Sequence, residues 1–574
     1  MVLWHIYVIN CGREEIYNRF HGTYLSPLFF ILKVFVINWV LISVAYGQAQ
    51  KINSVGKIMP PDAAPLSQQT IRLMGREPRS LDSGINPYDD DGVILRPFEM
   101  LMRRDELMRP IPGAAEHYEE SADGLSWIFY LRPGARWSDG RAVTAHDFVY
   151  TFRRNIDPKS GNIFAKFYYD IKNARAINQG QITDLTRLGV HALDNLTLVI
   201  ETEHRTPYLL HVISFPDTFP APKWQVEKYG RKWTEQDYIV SNSEFKIGEW
   251  VKGSHITYIP DPMYNGPYKP FLEKVTQLFR DSSTANILPY ENNEVDIELI
   301  DPAELLHIQN DPHLNSEIVR SKTYKTWHLT FRTQVPPFND IRVREAFARI
   351  VDRESILRVI LRGMGVPAYS MLPPGFDAYA GPDYKAFQDY NPAKAKCLMA
   401  EAGYGKGFRF PTTETWLRAP SPITRRIAEA IQEMLRNHLG VKIVFRSTDP
   451  SSYMNAMFNW QIPLGFIPWG ADYLDPRNML DMTWRSGRRG MQRHDWVNRE
   501  FDDLVSKAVG ETDPDQRTKI YKQAERILVS DYGGVFVYHP SRVSLRKPWV
   551  RGYHRMSDGT VGDIIWNQIY ISKK

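Results

Sequence analysis

PITRRIAEAIQEMLRNHLGVKIVF, residues 422–445, reads as a helix from Pro422 to Leu439 that stops at Gly440 and feeds a strand, Val441-Lys442-Ile443-Val444-Phe445. Proline in a first turn and glycine just past a last turn are the usual punctuation of such a unit. The pattern repeats outward from it. Asp340 caps a helix whose apolar positions Val343, Phe347, Ile350 and Val351 recur at helical spacing. Asn391-Pro392 starts another helix, which Gly403 stops, and Asp513-Pro514 caps a last long one through Val529 with Gln516 placed for a capping box. Earlier in the chain strands dominate: Thr70 to Met74, Trp127 to Leu131 before a turn at Arg132-Pro133-Gly134, and Leu196 to Glu201 after a turn at Asp194-Asn195. Strands alternating with helices predict α/β lobes. At 574 residues the chain is too long for one core, so two or more lobes are expected.

The balance of 71 basic and 66 acidic residues is well mixed, with no basic tail or helical stripe, which argues against a nucleic-acid partner. The 15 Trp and 30 Tyr suit either a large core or a cleft that encloses an apolar, hydrogen-bonding ligand. From Leu28 to Tyr46 the chain is almost wholly apolar, broken by Lys33 and Asn38, and Gly47-Gln48-Ala49 fits cleavage after Ala49. Residues 1–49 are therefore expected to be a signal peptide, with an uncleaved anchor or an upstream misassigned start as the alternatives. Only Cys11 and Cys397 are present, so an exported form has no internal disulfide.

The run Trp469-Gly470-Ala471-Asp472-Tyr473-Leu474-Asp475-Pro476 follows an apolar segment, Ile462 to Pro468, that reads as the end of a buried strand. A carboxylate emerging there is costly to desolvate unless a cation meets it. Nearby sequence supplies none, because the stretch from Ser447 to Pro476 holds no Lys or Arg. Asp472 is thus expected to keep its charge for a ligand amine, while Asp475 is explained by a strand-to-turn boundary. The competing reading is a strand end with an internal salt bridge.

Other chemistries find little support. No Gly-x-Ser-x-Gly elbow is present, Cys397 sits inside a helical pattern, and His328 and His539 stand beside apolar strand residues as wall residues. The His residues are scattered without metal-ligand spacing, and Gly403-Tyr404-Gly405-Lys406-Gly407 follows a helix and precedes a strand, the wrong order for a phosphate loop. No cofactor or metal is expected. A binding reading remains: extended backbone at Gly75 to Pro78 and at Trp469 to Ala471 offers itself to a peptide as an added strand, Asp472 meets its α-ammonium group, and Trp327, Tyr473 and Tyr538 supply aromatic walls.

The segment AAEHYEESADGLSWIFYLRPGARWSDGRAVTAHDF, residues 114–148, carries Asp123-Gly124, Leu131-Arg132, Trp137-Ser138-Asp139-Gly140 and Thr144-Ala145-x-Asp147-Phe148. Further ordered signatures are Glu77-Pro78 with Ser80-Leu81-Asp82, Ile239 to Asn242, Glu294 to Ile297, PPFNDIRVREAF, AEAGY, WGADYLDP, YKQAERIL and KPWVRGY. From about Ile71 to the C-terminus the chain resembles the periplasmic oligopeptide- and dipeptide-binding proteins of ABC importers, family 5 of the bacterial extracellular solute-binding proteins. The resemblance implies a two-lobed periplasmic-binding-protein fold, type II with an extra subdomain. Lobe I would comprise residues 50–90, 213–325 and 540–574, the extra subdomain 91–212, and lobe II 326–539. It implies a non-enzymatic, monomeric receptor that closes on a peptide by hinge motion and docks transiently on an inner-membrane ABC permease. Asp472 would bind the ligand's amino terminus, and the backbone of Trp469, Gly470, Ala471, Glu77 and Pro78 would pair with its main chain.

The departures from that family matter. Its oligopeptide binders often carry a disulfide near the cleft, at positions that here look like Lys325 and Gly470. Its Ser/Thr-Asn-Gly-Pro turn is Ser241-Asn242-Ser243-Glu244 here. Cleft arginines that meet a short peptide's carboxylate are missing, with Met457 and Phe466 in their neighbourhood. That absence keeps a non-peptide ligand open as an alternative: a murein-peptide derivative, a modified sugar or a chelated metal. An exported hydrolase using Asp472 and Asp475 is a third reading.

Overall fold

In the computed structural model, whose described residues are 51–82, 84, 97–280, 286–418, 421–487, 494–554 and 565–573, one long mixed sheet organises the chain. The first half contributes β1 (Thr70–Gly75), β2 (Phe245–Val251), β3 (His255–Pro260), β4 (Lys274–Phe279) and β5 (Ile297–Leu299). The second contributes β6 (Lys325–Phe331), β7 (Thr413–Arg418), β8 (Ile443–Thr448), β9 (Leu464–Gly470) and β10 (Gly534–Arg546). Their order across the sheet is β8-β7-β9-β6-β10-β5-β1-β4-β3-β2.

Strand β10 joins the two halves of this sheet. Its first residues pair with β6, Thr330↔Gly534 to Trp327↔Tyr538, and its last pair with β5, Leu299↔Ser544 to Ile297↔Arg546. A separate four-stranded antiparallel sheet, Ala115–Glu120, Ser126–Leu131, Thr197–Glu201 and Val190–Ala192, packs with the helix Ala145–Ile156. Phe129, Trp137 and Phe148 of this part share one buried cluster with Tyr258 and Val275 of the first lobe. In the second lobe the sheet is covered on both faces, as side-chain alternation along a strand requires. Phe331, Val535 and Val537 meet Val343, Phe347, Ile427 and Leu435 on one side, whereas Phe536 and Trp469 join Phe501, Tyr521 and Leu528 on the other.

The helix starts follow their sequence signals. Asp340, Asn391, Ser421 and Asp513 each accept a backbone N–H of the following first turn. The strand expected from Trp127 begins one residue earlier, at Ser126; two other strand starts and one cap differ from expectation, each for a local reason. The strand after Gly440 begins at Ile443, because Gly440 is left-handed (φ 70°) and the N–H groups of Gly440 and Val441 close the helix on Arg436 and Leu435. The strand expected from Leu196 begins at Thr197, the Leu196 N–H being held by the Asp194 carboxylate at 2.7 Å. Asp513 takes the backbone N–H of Gln516, and the reciprocal capping box sits instead at Thr144 and Asp147. The targeting segment expected at 1–49 lies outside the described residues. Among the described residues, no helix is long and apolar enough to cross a membrane.

Candidate functional site

Strand β9 runs antiparallel to β6, with Thr326↔Trp469 and Lys325↔Gly470 in register, and the Ala471 N–H continues the pairing to the Tyr324 carbonyl at 2.8 Å. The chain then turns, and Asp472 emerges 5% exposed. Its Oδ2 accepts from Asn478 Nδ2 at 3.1 Å. The Asn478 Oδ1 in turn accepts the Asp472 N–H at 3.1 Å and the Trp469 Nε1–H at 3.0 Å. One fully buried amide therefore orients both the carboxylate and the indole, and it does so without adding charge. Asn478 is positioned by a one-turn helix, Pro476–Met479, whose cap is Asp475.

Asp475 is engaged differently. Arg517 donates to both its oxygens, Nη1 at 2.6 Å and Nη2 at 2.8 Å, while the Arg477 N–H takes Oδ1 at 2.9 Å. Burial alone would push this carboxyl up, but Arg517 outweighs it and holds Asp475 below the usual carboxylate range. Two carboxylates that look equivalent in sequence are thus held differently: Asp475 takes part in a fork-to-fork ion pair and a helix cap, and the Asn478 amide is among the partners of Asp472.

The aromatic residues fall into separate groups. Trp327 stacks on Tyr538, ring centroids 6.0 Å apart and planes within 5°, and lies 5.0 Å from Phe466. Tyr538 and Phe466 are buried in the second-lobe core, and burial raises the Tyr538 hydroxyl. Trp469 and Ala471 belong to the cluster on the opposite face of that sheet, with Trp484 and Phe536. Tyr473 is fully buried in the first-lobe cluster, edge-on to Phe167 at 6.1 Å, and its hydroxyl accepts from Arg477 Nη1 at 3.0 Å. Across the molecule, the Glu77 carboxylate accepts from Trp250 Nε1 at 3.3 Å and the Gly253 N–H at 3.0 Å, and Pro78 is buried. The positions Trp469 to Tyr473 are contiguous, whereas Trp327 with Tyr538, and Glu77 with Pro78, come from other strands and lobes.

His539 is a buried wall residue bonded through Nδ1 to Thr326 Oγ1 at 2.9 Å, and burial pushes it down to about 3, so it is neutral at physiological pH. Among the described residues no group of His, Cys, Asp and Glu is placed to hold a metal ion. Sequence reasoning missed Asn478, Arg477 and Arg517. The Asp475-Pro476 helix start was the available signal for Asn478, since it places that residue in the first turn, beside the chain that precedes the cap. Arg517 sits on a distant helix, and no local scan reaches it.

A sequence model of the bacterial extracellular solute-binding proteins, family 5 Middle, matches residues 109–491. The periplasmic oligopeptide-binding protein OppA of Salmonella typhimurium is 33% identical over 497 residues, covering 85% of this chain and 90% of that protein. The dipeptide-binding protein DppE of Bacillus subtilis is 29% identical over 523 residues, covering 89% and 94%. Among solved structures, the Escherichia coli murein tripeptide binding protein MppA superposes with a TM-score of 0.74 at 27% identity, covering 88% of this chain and 99% of that one.

Proposed function

The chain belongs to the bacterial extracellular solute-binding proteins of family 5, and we propose that it captures peptides by their free amino end and delivers them to an ABC permease in the membrane. The observation that carries this reading is Asp472, 5% exposed at the end of β9 and oriented by the Asn478 amide. A ligand α-ammonium group meets that carboxylate in a charge-assisted hydrogen bond. The ligand main chain pairs with Trp469, Gly470 and Ala471 and with the backbone at Glu77 and Pro78, since the Glu77 side chain is engaged by Trp250 and Gly253. Trp327 and Tyr538 flank the bound side chains, and Tyr473 shapes the turn behind the anchor. The lobes divide as 50–90, 213–325 and 540–574 against 326–539, with 91–212 as the extra subdomain; the change of pairing partner along β10 supports this division. The protein acts after export, as a monomer without chemistry of its own, and engages the permease transiently. Relatives named for oligopeptide, dipeptide and murein tripeptide binding support a peptide ligand.

Calorimetry on ligand-stripped protein tests the reading with paired peptides that differ only in N-acetylation. The free-amine peptide should bind at least about 100-fold more tightly, as expected when a buried charge pair loses one partner. Equal affinity for the two would overturn it.

A further inference from the structure

The short turn that carries Asn478 makes a second, longer-range connection. Arg477, the preceding residue, sends its guanidinium to residues of the first half of the chain. Its Nη2 lies 2.6 Å from Asp170 Oδ2, its Nη1 donates to Tyr473, and its guanidinium sits 4.5 Å over the Tyr208 ring. Both partners are enclosed, Arg477 at 3% and Asp170 at 9% side-chain exposure. Asp170 is completed by the Tyr208 hydroxyl at 3.0 Å and by His204 Nε2 at 3.4 Å. Burial works against its charge, but Arg477 with His204 and Tyr208 outweighs burial and holds Asp170 down at about 2.

Asp170 and Tyr208 lie in the part of the chain that shares its core with the first lobe, and Arg477 follows a strand of the second. The pair therefore forms only when the two lobes are together. When they part, Asp170 loses Arg477, and Arg477 is left with Asp481 of its own segment. When they close out of register, Asp170 is buried without its guanidinium and Arg477 keeps only Asp481, 3.6 Å from its Nε, a disfavoured state. A buried ion pair of this kind adds little net stability, and its best-attested use is to fix register. Here the register it fixes is that of the turn Pro476–Met479, and Asn478, the next residue, is the group that orients Asp472.

We propose that Arg477 is a positioning residue that couples lobe closure to the amine anchor: its pairing with Asp170 sets the turn whose Asn478 aims Asp472 at the ligand. This rests on the reading of Asp472 as that anchor. Tyr208 and Tyr473 hold the guanidinium in plane, so a lysine cannot replace it; an ammonium is a point charge without the fork that reaches Asp170 and Tyr473 together.

The test compares wild-type protein with Asp170→Asn, Arg477→Lys and their double variant, using one free-amine peptide and its N-acetylated twin. Tyr208→Phe, which keeps the ring and removes one bond to Asp170, serves if the buried charge changes prevent folding. Each single variant should weaken the free-amine peptide about 10- to 100-fold, chiefly through faster dissociation, and should shrink the ratio of free-amine to acetylated affinity. The double variant should lose no more than the worse single one, as expected of two residues acting as a unit. Small-angle scattering should show the liganded variants less compact than liganded wild type. Variants that melt lower yet keep both the affinity ratio and the dissociation rate within twofold of wild type would overturn the proposal. A wild-type protein that does not discriminate the two peptides would instead overturn the anchor reading beneath it.

Discussion

Replacing Asp472 with Asn is the sharpest perturbation of the proposed anchor, because it removes the charge and keeps the shape of the side chain. The Asn478 Nδ2–H now donating to Asp472 at 3.1 Å can donate equally to an asparagine oxygen. The bond from the residue-472 N–H to Asn478 Oδ1 is a backbone contact and survives. The variant should therefore fold, which a cooperative melting transition of the unliganded protein checks. Ligand binding should weaken. The α-ammonium group would be enclosed opposite a neutral amide, and truncating one partner of such a pair costs about 3 kcal/mol, or roughly 100-fold in Kd. Titration calorimetry with a free-amine peptide and its N-acetylated twin isolates the effect: the first should fall toward the second, which should barely move. A variant that folds normally and binds the free-amine peptide within threefold of wild type would refute the assignment of Asp472.

Three more expectations come from the same structure. Glu525 is fully buried, accepts the Leu372 N–H at 2.7 Å, and is raised by burial to about 8 from an ordinary 4.5. Its neutral form is favoured in the fold, so its contribution is complete below pH 4.5 and is lost as pH rises toward 8, about 5 kcal/mol in all. Glu525→Gln should flatten that part of the profile of melting temperature against pH; an unchanged profile would count against a buried neutral carboxyl. Lys325→Cys with Gly470→Cys, in a form beginning at Gln50 and carrying Cys397→Ser, should form a disulfide and gain about 2–4 kcal/mol, read as a melting shift reversed by reductant. Free thiols after oxidation would contradict the β6–β9 register. Amidating a peptide's C-terminus should change its affinity by less than about threefold, well under the cost of breaking a buried charge pair. A 100-fold loss in calorimetry would reveal a cation that meets that end.

The features legible in the sequence were those that depend on neighbours along the chain. Asp340, Asn391 and Asp513 cap where expected because a cap needs only the next turn's N–H groups. The position of the WGADY segment at the end of a buried strand was legible for the same reason. The partners of its two carboxylates were not. Arg517 reaches Asp475 from another helix and Asp170 meets Arg477 from a distant part of the chain, and neither residue carries a local pattern that distinguishes it from a solvated charge. The start of β8 was misplaced because Val441, a good strand former, has its N–H committed to the preceding helix.

The residues that stand near the missing cleft arginines bear on the far end of the ligand. Met457 is 2% exposed and packs with Tyr453, Ala456, Ile462 and Ile467. Phe466 is 3% exposed and packs in the second-lobe core beside Trp327. These positions are thus core rather than vacated pockets, and a basic side chain placed there would have to desolvate its charge inside an apolar cluster. On the proposed reading, recognition is asymmetric: a fixed carboxylate at the amino end, aromatic surface alongside, and no buried cation contributed by β9 or the helix before it at the far end. A receptor built this way discriminates by the presence of a free amine and tolerates variation along the rest of the peptide. The same asymmetry explains why the turn Pro476–Met479 is the place to fix register, since the strongest ligand contact depends on the geometry of that one turn.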